Sequence, residues 1–269
     1  MPDAASLGFE PHFQSAEEKG ISRVGLIVPS SNTTMETELP ELFARQTAAT
    51  GHRYTFHSAR ATLHSVTKEE LLAMVGKAAD CATQVSDAAV DAIAYACLVA
   101  VMAQGPGAHV GSEKAIADAA EANGHPAKVA SSAGALVRVL PRLGAKRVVM
   151  LAPYLSELTT MVREYIEGAG IEVVDSINLS VADNLAVGSL DTRNLRELAR
   201  RFDLDGVDAI VLSACVQMPS LDQVQPVEDE LGIPVVTAAT ATTYEVLEAL
   251  GHTPQITGAG RLLTGLLPK

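Results

Sequence analysis

The sequence predicts an α/β protein of two similar lobes, each built on a parallel sheet. Three observations carry this. Short β-branched runs alternate with amphipathic helical stretches. The alternation recurs in the same order in the second half of the chain. And 269 residues with 48% apolar content are enough to bury two cores of ordinary size.

The elements follow in order. "RVGLIVP", Arg23 to Pro29, is a β-branched run closed by a turn signal, which reads as a buried parallel strand, and the polar stretch after it opens a helix. From Lys68 to Ala89, Leu71, Leu72, Val75, Ala78, Ala82 and Val85 recur at spacings of three and four, predicting one amphipathic helix. "VDAIAYAC", Val90 to Cys97, is the next strand. The order then repeats. "RVVMLAPYLSELTT" from Arg147 matches "RVGLIVPSSNTTME" from Arg23, and "VDAIVLSAC" from Val207 matches "VDAIAYAC" with one extra residue. "PVVTAATATTYEVLEALG" from Pro234 matches "PAKVASSAGALVRVLPRLG" from Pro126. Three matched blocks in one order imply duplication and a pseudo-two-fold axis between the lobes. Residues 1–21 are polar and aperiodic and are expected to be a flexible tail outside the fold.

Composition narrows the function. No apolar run reaches the length of a membrane-spanning helix, and the N-terminus lacks the basic and apolar regions of a signal peptide, so a cytoplasmic location and no membrane partner are expected. The sequons Asn32-Thr33-Thr34 and Asn178-Leu179-Ser180 then carry no meaning. A net charge of −12 without a Lys/Arg cluster opposes nucleic-acid binding. Three cysteines without C-x-x-C spacing leave packing or thiol chemistry, and no metal site is expected.

Cys81 sits on the apolar side of its helix and reads as core packing. Cys97 and Cys215 stand at equivalent points of the repeat, each just past a strand. Ligands of open parallel sheets bind beyond the carboxyl ends of the strands, so lobes meeting at those ends would bring both thiols to one cleft. Backbone N–H groups of the following loop favour the thiolate there. No G-x-S-x-G elbow or phosphate loop is present, no histidine lies near either cysteine in sequence, and "GPGAHVG" from Gly105 has its third glycine one place late for a dinucleotide fingerprint and reads as a turn.

The segments after the other strands, "PSSNTT" at 29–34, "SSAG" at 131–134, "APYLSELTT" at 152–160 and "TAATATT" at 237–243, are rich in hydroxyls and amides and lack Lys and Arg. Many of these residues serve as helix caps. Asn32 and Tyr154 stand out among them as donors for a small carboxylic acid.

With "VPSSNTTMETE", "YACLVA", "APY", "DNLAV" and "LSACVQM" in place, the chain resembles the maleate cis-trans isomerases of the aspartate/glutamate racemase superfamily, from Arg23 to about Gly260. The resemblance implies two Rossmann-like lobes with exchanged segments, residues 22–126 and 234–269 forming one and residues 127–233 the other, with the active site between them. It implies Cys97 as nucleophile and Cys215 as proton donor. Asn32, Tyr154 and Asn184 would hold the carboxylates of a small dicarboxylate, together with backbone groups at Cys97, Leu98, Val99, Cys215 and Val216. It also implies a homodimer that uses no cofactor.

Two alternatives stay open on the sequence. A racemase or decarboxylase of the same superfamily is one, although arylmalonate-type decarboxylases keep only the second-lobe cysteine. A non-catalytic module that binds a small acid is the other.

Overall fold

The structure, a computed structural model, describes residues 6, 8, 10–63 and 65–265. It contains two four-stranded, all-parallel sheets flanked by helices. The first sheet has the order β2 (Arg53–Ala61), β1 (Ile21–Pro29), β3 (Ala92–Tyr95) and β4 (Lys128–Ser131). The second has the order β6 (Glu172–Asn178), β5 (Arg147–Ala152), β7 (Ala209–Ser213) and β8 (Val235–Thr237). The central strands β1, β3, β5 and β7 are buried runs of Val, Ile, Leu and Ala, as a parallel sheet covered on both faces requires.

The extra residue of the second half is absorbed in the sheet. Between β7 and β8, Val211 pairs with Val236 and Ser213 with Thr237, so Leu212 forms a bulge. In the first sheet Tyr95 pairs with Ser131. Each cysteine therefore lies two residues beyond an equivalent ladder position, and the bulge keeps Cys215 in the place that Cys97 holds in the other half.

Two expectations are corrected. The single helix from Lys68 to Ala89 is two helices, α2 (Lys68–Val75) and α3 (Ala78–Ser86), on either side of Gly76 and Lys77. The apolar spacing runs across the junction and hides the break. The expected lobe cuts after residues 126 and 233 precede β4 and β8, whereas β4 completes the first sheet and β8 the second. The sheets thus divide one strand later at each point. Of the expected tail, residues 1–5, 7 and 9 lie outside the described residues, as do 266–269 of the expected first lobe; Ala16 to Gly20 form a turn, Ile21 N–H donating to Ala16 O at 2.9 Å, and β1 begins at Ile21.

Helix α1 (Met35–Thr50) begins just after the "PSSNTT" segment and buries Met35, Leu39, Leu42 and Phe43. It ends at Gly51, whose left-handed backbone (φ +77°) lets its N–H reach Thr47 O. Gly25 on β1 has a different role: a Cβ there would lie 3.1 Å from Val85 and Val90, so the missing side chain admits α3 against the sheet. Helix α11 (Ala238–Ala249) follows β8 of the second sheet but packs on β3, β4 and α1 of the first. A Thr237–Thr240 capping box starts it. Among the described residues no helix is long and apolar enough to cross a membrane, and no group of three or more His, Cys, Asp or Glu is placed to hold a metal ion.

Candidate active site

The carboxyl ends of the two sheets face each other across a seam, and the "PSSNTT" segment is where they touch. Asn32 Nδ2 donates to Val216 O at 2.9 Å, while its Oδ1 accepts from the N–H groups of Thr34 (3.0 Å) and Met35 (2.9 Å). Asn32 thus caps α1 and grips the Cys215 loop at once. Thr34 Oγ1 donates to Gln217 O at 2.6 Å, and Asn184 Nδ2 donates to Ser31 Oγ at 2.7 Å. Glu38 of α1 accepts from the N–H groups of Ser220 (2.6 Å) and Leu221 (2.8 Å), capping α10 (Leu221–Leu231) of the other half. A carboxylate there faces the positive end of that helix, although burial raises its pKa on balance.

Gln217 was not singled out in the sequence, and it is the hub of this seam. Its Oε1 accepts from Thr33 N–H at 2.9 Å, and its Nε2 donates to Asn184 O at 2.9 Å and Ser31 O at 3.2 Å. The available signal was a glutamine two residues after Cys215 in "CVQM", at a position 2% exposed. Gly188, the last residue of α8 (Asn184–Gly188), makes room for it: a Cβ there would come within 2.5 Å of Thr33 Oγ1 and 2.7 Å of Gln217 Nε2. Gly188→Ala is expected to cost about 1–3 kcal/mol of stability and to lower turnover by about tenfold, as read from urea unfolding and initial rates.

Asn32, Cys97, Leu98, Val99, Tyr154, Asn184, Cys215 and Val216 all line one cavity at this seam. Pro29, Leu63, Val66 and Gln217 complete its wall. Leu63 and Val66 lie on the connection from β2 to α2, where loop position gave the sequence no periodic signal. No charged side chain lines the cavity among the described residues. Its volume is about 20 Å³, room for no more than one water molecule, so this is a closed form. A larger cavity of about 500 Å³ between α2, α4 (Leu98–Met102) and α7 (Ser156–Glu167) contains neither of these thiols.

The two sulfurs are held differently. Cys97 immediately precedes α4, and its thiol donates to the Met74 thioether at 3.6 Å. Cys215 Sγ accepts from Gln217 N–H at 3.2 Å and is further approached by the Tyr154 hydroxyl. The expectation that backbone N–H groups favour the thiolate is not met at Cys97 in this form. Cys97 is only 1% exposed, and burial pushes its pKa up to about 12, against a smaller downward pull from Ala100 N–H. Burial also raises Cys215 and holds the Tyr154 phenol well above its usual range. Cys81 is buried on α3, where packing accounts for it.

The buried thiol links stability to pH. Below about pH 9 Cys97 is protonated in the folded and unfolded chain alike; between about 9 and about 12 only the unfolded chain releases the proton. Folded stability should therefore fall through that window, by up to about 1.4 kcal/mol per pH unit from this group. Urea unfolding at a series of alkaline pH values checks this, and Cys97→Ala should flatten the slope.

Comparison with known proteins places this chain in a family. The family model for arylmalonate decarboxylase matches residues 24–263. The chain is 50% identical over 244 residues to the maleate isomerase of Geobacillus stearothermophilus, covering 90% of this chain and 97% of that one. The chain belongs to the maleate isomerase family. Among solved members, a cysteine-to-alanine variant of the maleate isomerase Iso from Pseudomonas putida S16, determined with maleate, superposes with a TM-score of 0.91 at 45% identity, covering 93% of this chain and 100% of that one. A cysteine-to-serine variant of the maleate cis-trans isomerase of Nocardia farcinica carries a covalently bound succinylcysteine intermediate; its TM-score is 0.87 at 46% identity, with 91% and 98% of the chains covered. The two-lobe fold of this chain is that of the maleate isomerase family.

Proposed function

We propose that this protein catalyses the cofactor-independent cis-trans isomerisation of maleate to fumarate, with Cys97 as nucleophile and Cys215 as proton donor and acceptor. The observation that carries the reading is that two thiols from duplicated halves, with the amides of Asn32 and Asn184 and the hydroxyl of Tyr154, line one uncharged cavity.

The chemistry is constrained by the double bond, which blocks rotation until it is made single. The Cys97 thiolate bonds to one alkene carbon, the π pair moves to the neighbouring carbon, and that carbon takes the proton of Cys215. The intermediate is a succinyl thioether on Cys97 and a thiolate on Cys215. After rotation about the new single bond, Cys215 recovers its proton, the double bond re-forms trans, and the Cys97 thiolate leaves. The cycle starts and ends with Cys97 as thiolate and Cys215 as thiol; the proton that Cys97 carries in the resting form leaves to solvent before the cavity closes on the diacid.

The closed cavity has a role in this scheme. Maleate is much larger than the space present, so the wall carrying Leu63 and Val66 or the seam itself must open for it. Once closed again, neutral donors hold the dianion while water is kept from the carbanion. Placing no Lys or Arg at the thiols keeps their proton affinity high enough for Cys215 to deliver its proton and take it back.

Pure protein mixed with maleate and no cofactor should yield fumarate, followed through the vinyl protons by NMR. No fumarate under any buffer condition would overturn the reading. It carries with it a cytoplasmic homodimer, for which sedimentation should give twice the chain mass of 28.1 kDa.

A further inference from the structure

Tyr95 ends β3, two residues before Cys97, and is fully buried. Packing accounts for its ring. It does not account for its hydroxyl, which is one of three buried side-chain polar atoms without a hydrogen-bond partner among the described residues. An unpaired hydroxyl in the core is a cost that phenylalanine would avoid at nearly the same volume. The equivalent ladder position in the other half holds Ser213, whose hydroxyl donates, shared between the carbonyls of Cys215 (3.0 Å) and Met218 (3.3 Å). An idle hydroxyl at Tyr95 therefore calls for a second reason.

Its surroundings supply one. The Tyr95 hydroxyl approaches the Cys97 sulfur without meeting the geometry of a hydrogen bond to the thiol, yet near enough to draw that sulfur's proton affinity down. In the resting form the Cys97 S–H is directed to Met74 Sδ, so the thiol already has its partner. A thioether only accepts, and once the proton leaves it offers the sulfur nothing. A phenol hydroxyl donates. Met74 thus suits the thiol and Tyr95 the thiolate. Cys215 has a phenol of its own in Tyr154, which follows β5 rather than β7, so the two tyrosines are not copies made by the duplication.

We propose that the Tyr95 hydroxyl is held unpaired in the resting enzyme so that it donates to the Cys97 sulfur whenever that sulfur is a thiolate. The thiolate is then stabilised before it adds to substrate and again as it leaves. In the thioether adduct the sulfur is a poor acceptor, and the hydroxyl is idle once more.

The proposal rests on Cys97 being the reacting thiol, and the test reads that sulfur directly. The rate of iodoacetamide alkylation at Cys97 is measured against pH by peptide mass mapping, with Cys81 and Cys215 as internal controls. In Tyr95→Phe the Cys97 rate should fall about tenfold at a given pH, equivalent to an upward shift of about one unit, while the controls stay unchanged and the melting temperature is equal or higher. A mere packing role predicts no such split between reactivity and stability. Replacing Tyr95 with 3-fluorotyrosine, a stronger donor of nearly the same shape, should speed alkylation, and it decides the matter if Tyr95→Phe does not fold. A folded Tyr95→Phe with Cys97 rates within about twofold of wild type, or a fluorotyrosine protein no faster than wild type, overturns the proposal. Failure to isomerise maleate would overturn the proposed function and leave this experiment readable.

Discussion

Cys97→Ala should eliminate the conversion of maleate, lowering the rate by at least about 10⁴-fold. The scheme contains no substitute for the atom that bonds to the alkene, and the remaining cavity wall offers only amides, one phenol and Cys215. Cys97→Ser should retain very little, because an alcohol in this uncharged pocket has no neighbouring base and is far less acidic than the thiol it replaces. Both variants should stay folded, since the Cys97 sulfur, with Met74 Sδ and the Ala100 N–H beside it, anchors no helix or strand. NMR assay of fumarate beside a thermal melt separates the two effects. Comparable turnover by Cys97→Ala and wild type would move the chemistry to another site.

Cys215→Ala should lose turnover by about 10³-fold or more, within the range that a positioned proton donor contributes. The failure differs in kind. The diacid should still bind, because the amides of Asn32 and Asn184 and the Tyr154 hydroxyl remain, but nothing protonates the carbanion and the adduct collapses back to maleate. Calorimetry should show retained binding. Intact-mass measurement should find a maleate-sized addition in the wild type, mapped to Cys97, and none in Cys215→Ala. An addition mapped to Cys215 would reverse the two roles.

Much of this architecture was legible because duplication is a strong signal. The repeated "VDAI" runs marked β3 and β7, and the surplus residue noticed in the second became the bulge at Leu212. Eight residues expected at the site share one cavity wall, which spacing alone did not require. What escaped was local. The helical period continued through Gly76 and Lys77, because a break that preserves phase leaves no trace in apolar spacing. The strand membership of β4 and β8 depends on pairing between distant segments, which periodicity does not report. Gln217 looked like one polar residue in a hydrophobic run, since its partners Ser31, Thr33 and Asn184 come from segments far away in sequence. The depth of burial at Cys97, which reverses the expected proton affinity, is a property of the assembled seam.

Helix α11 leaves the last strand of one sheet and lies on the other, where Ser132 Oγ and Thr242 Oγ1 meet at 2.8 Å and Arg138 binds Glu245 at 2.9 Å. This crossing works like a strap buckled across two plates. The first plate is not wrapped without a helix from its neighbour, so the halves should form a single melting unit despite their separate sheets. Genes for the two halves expressed apart would yield one chain with a naked sheet face and another with an unpartnered helix.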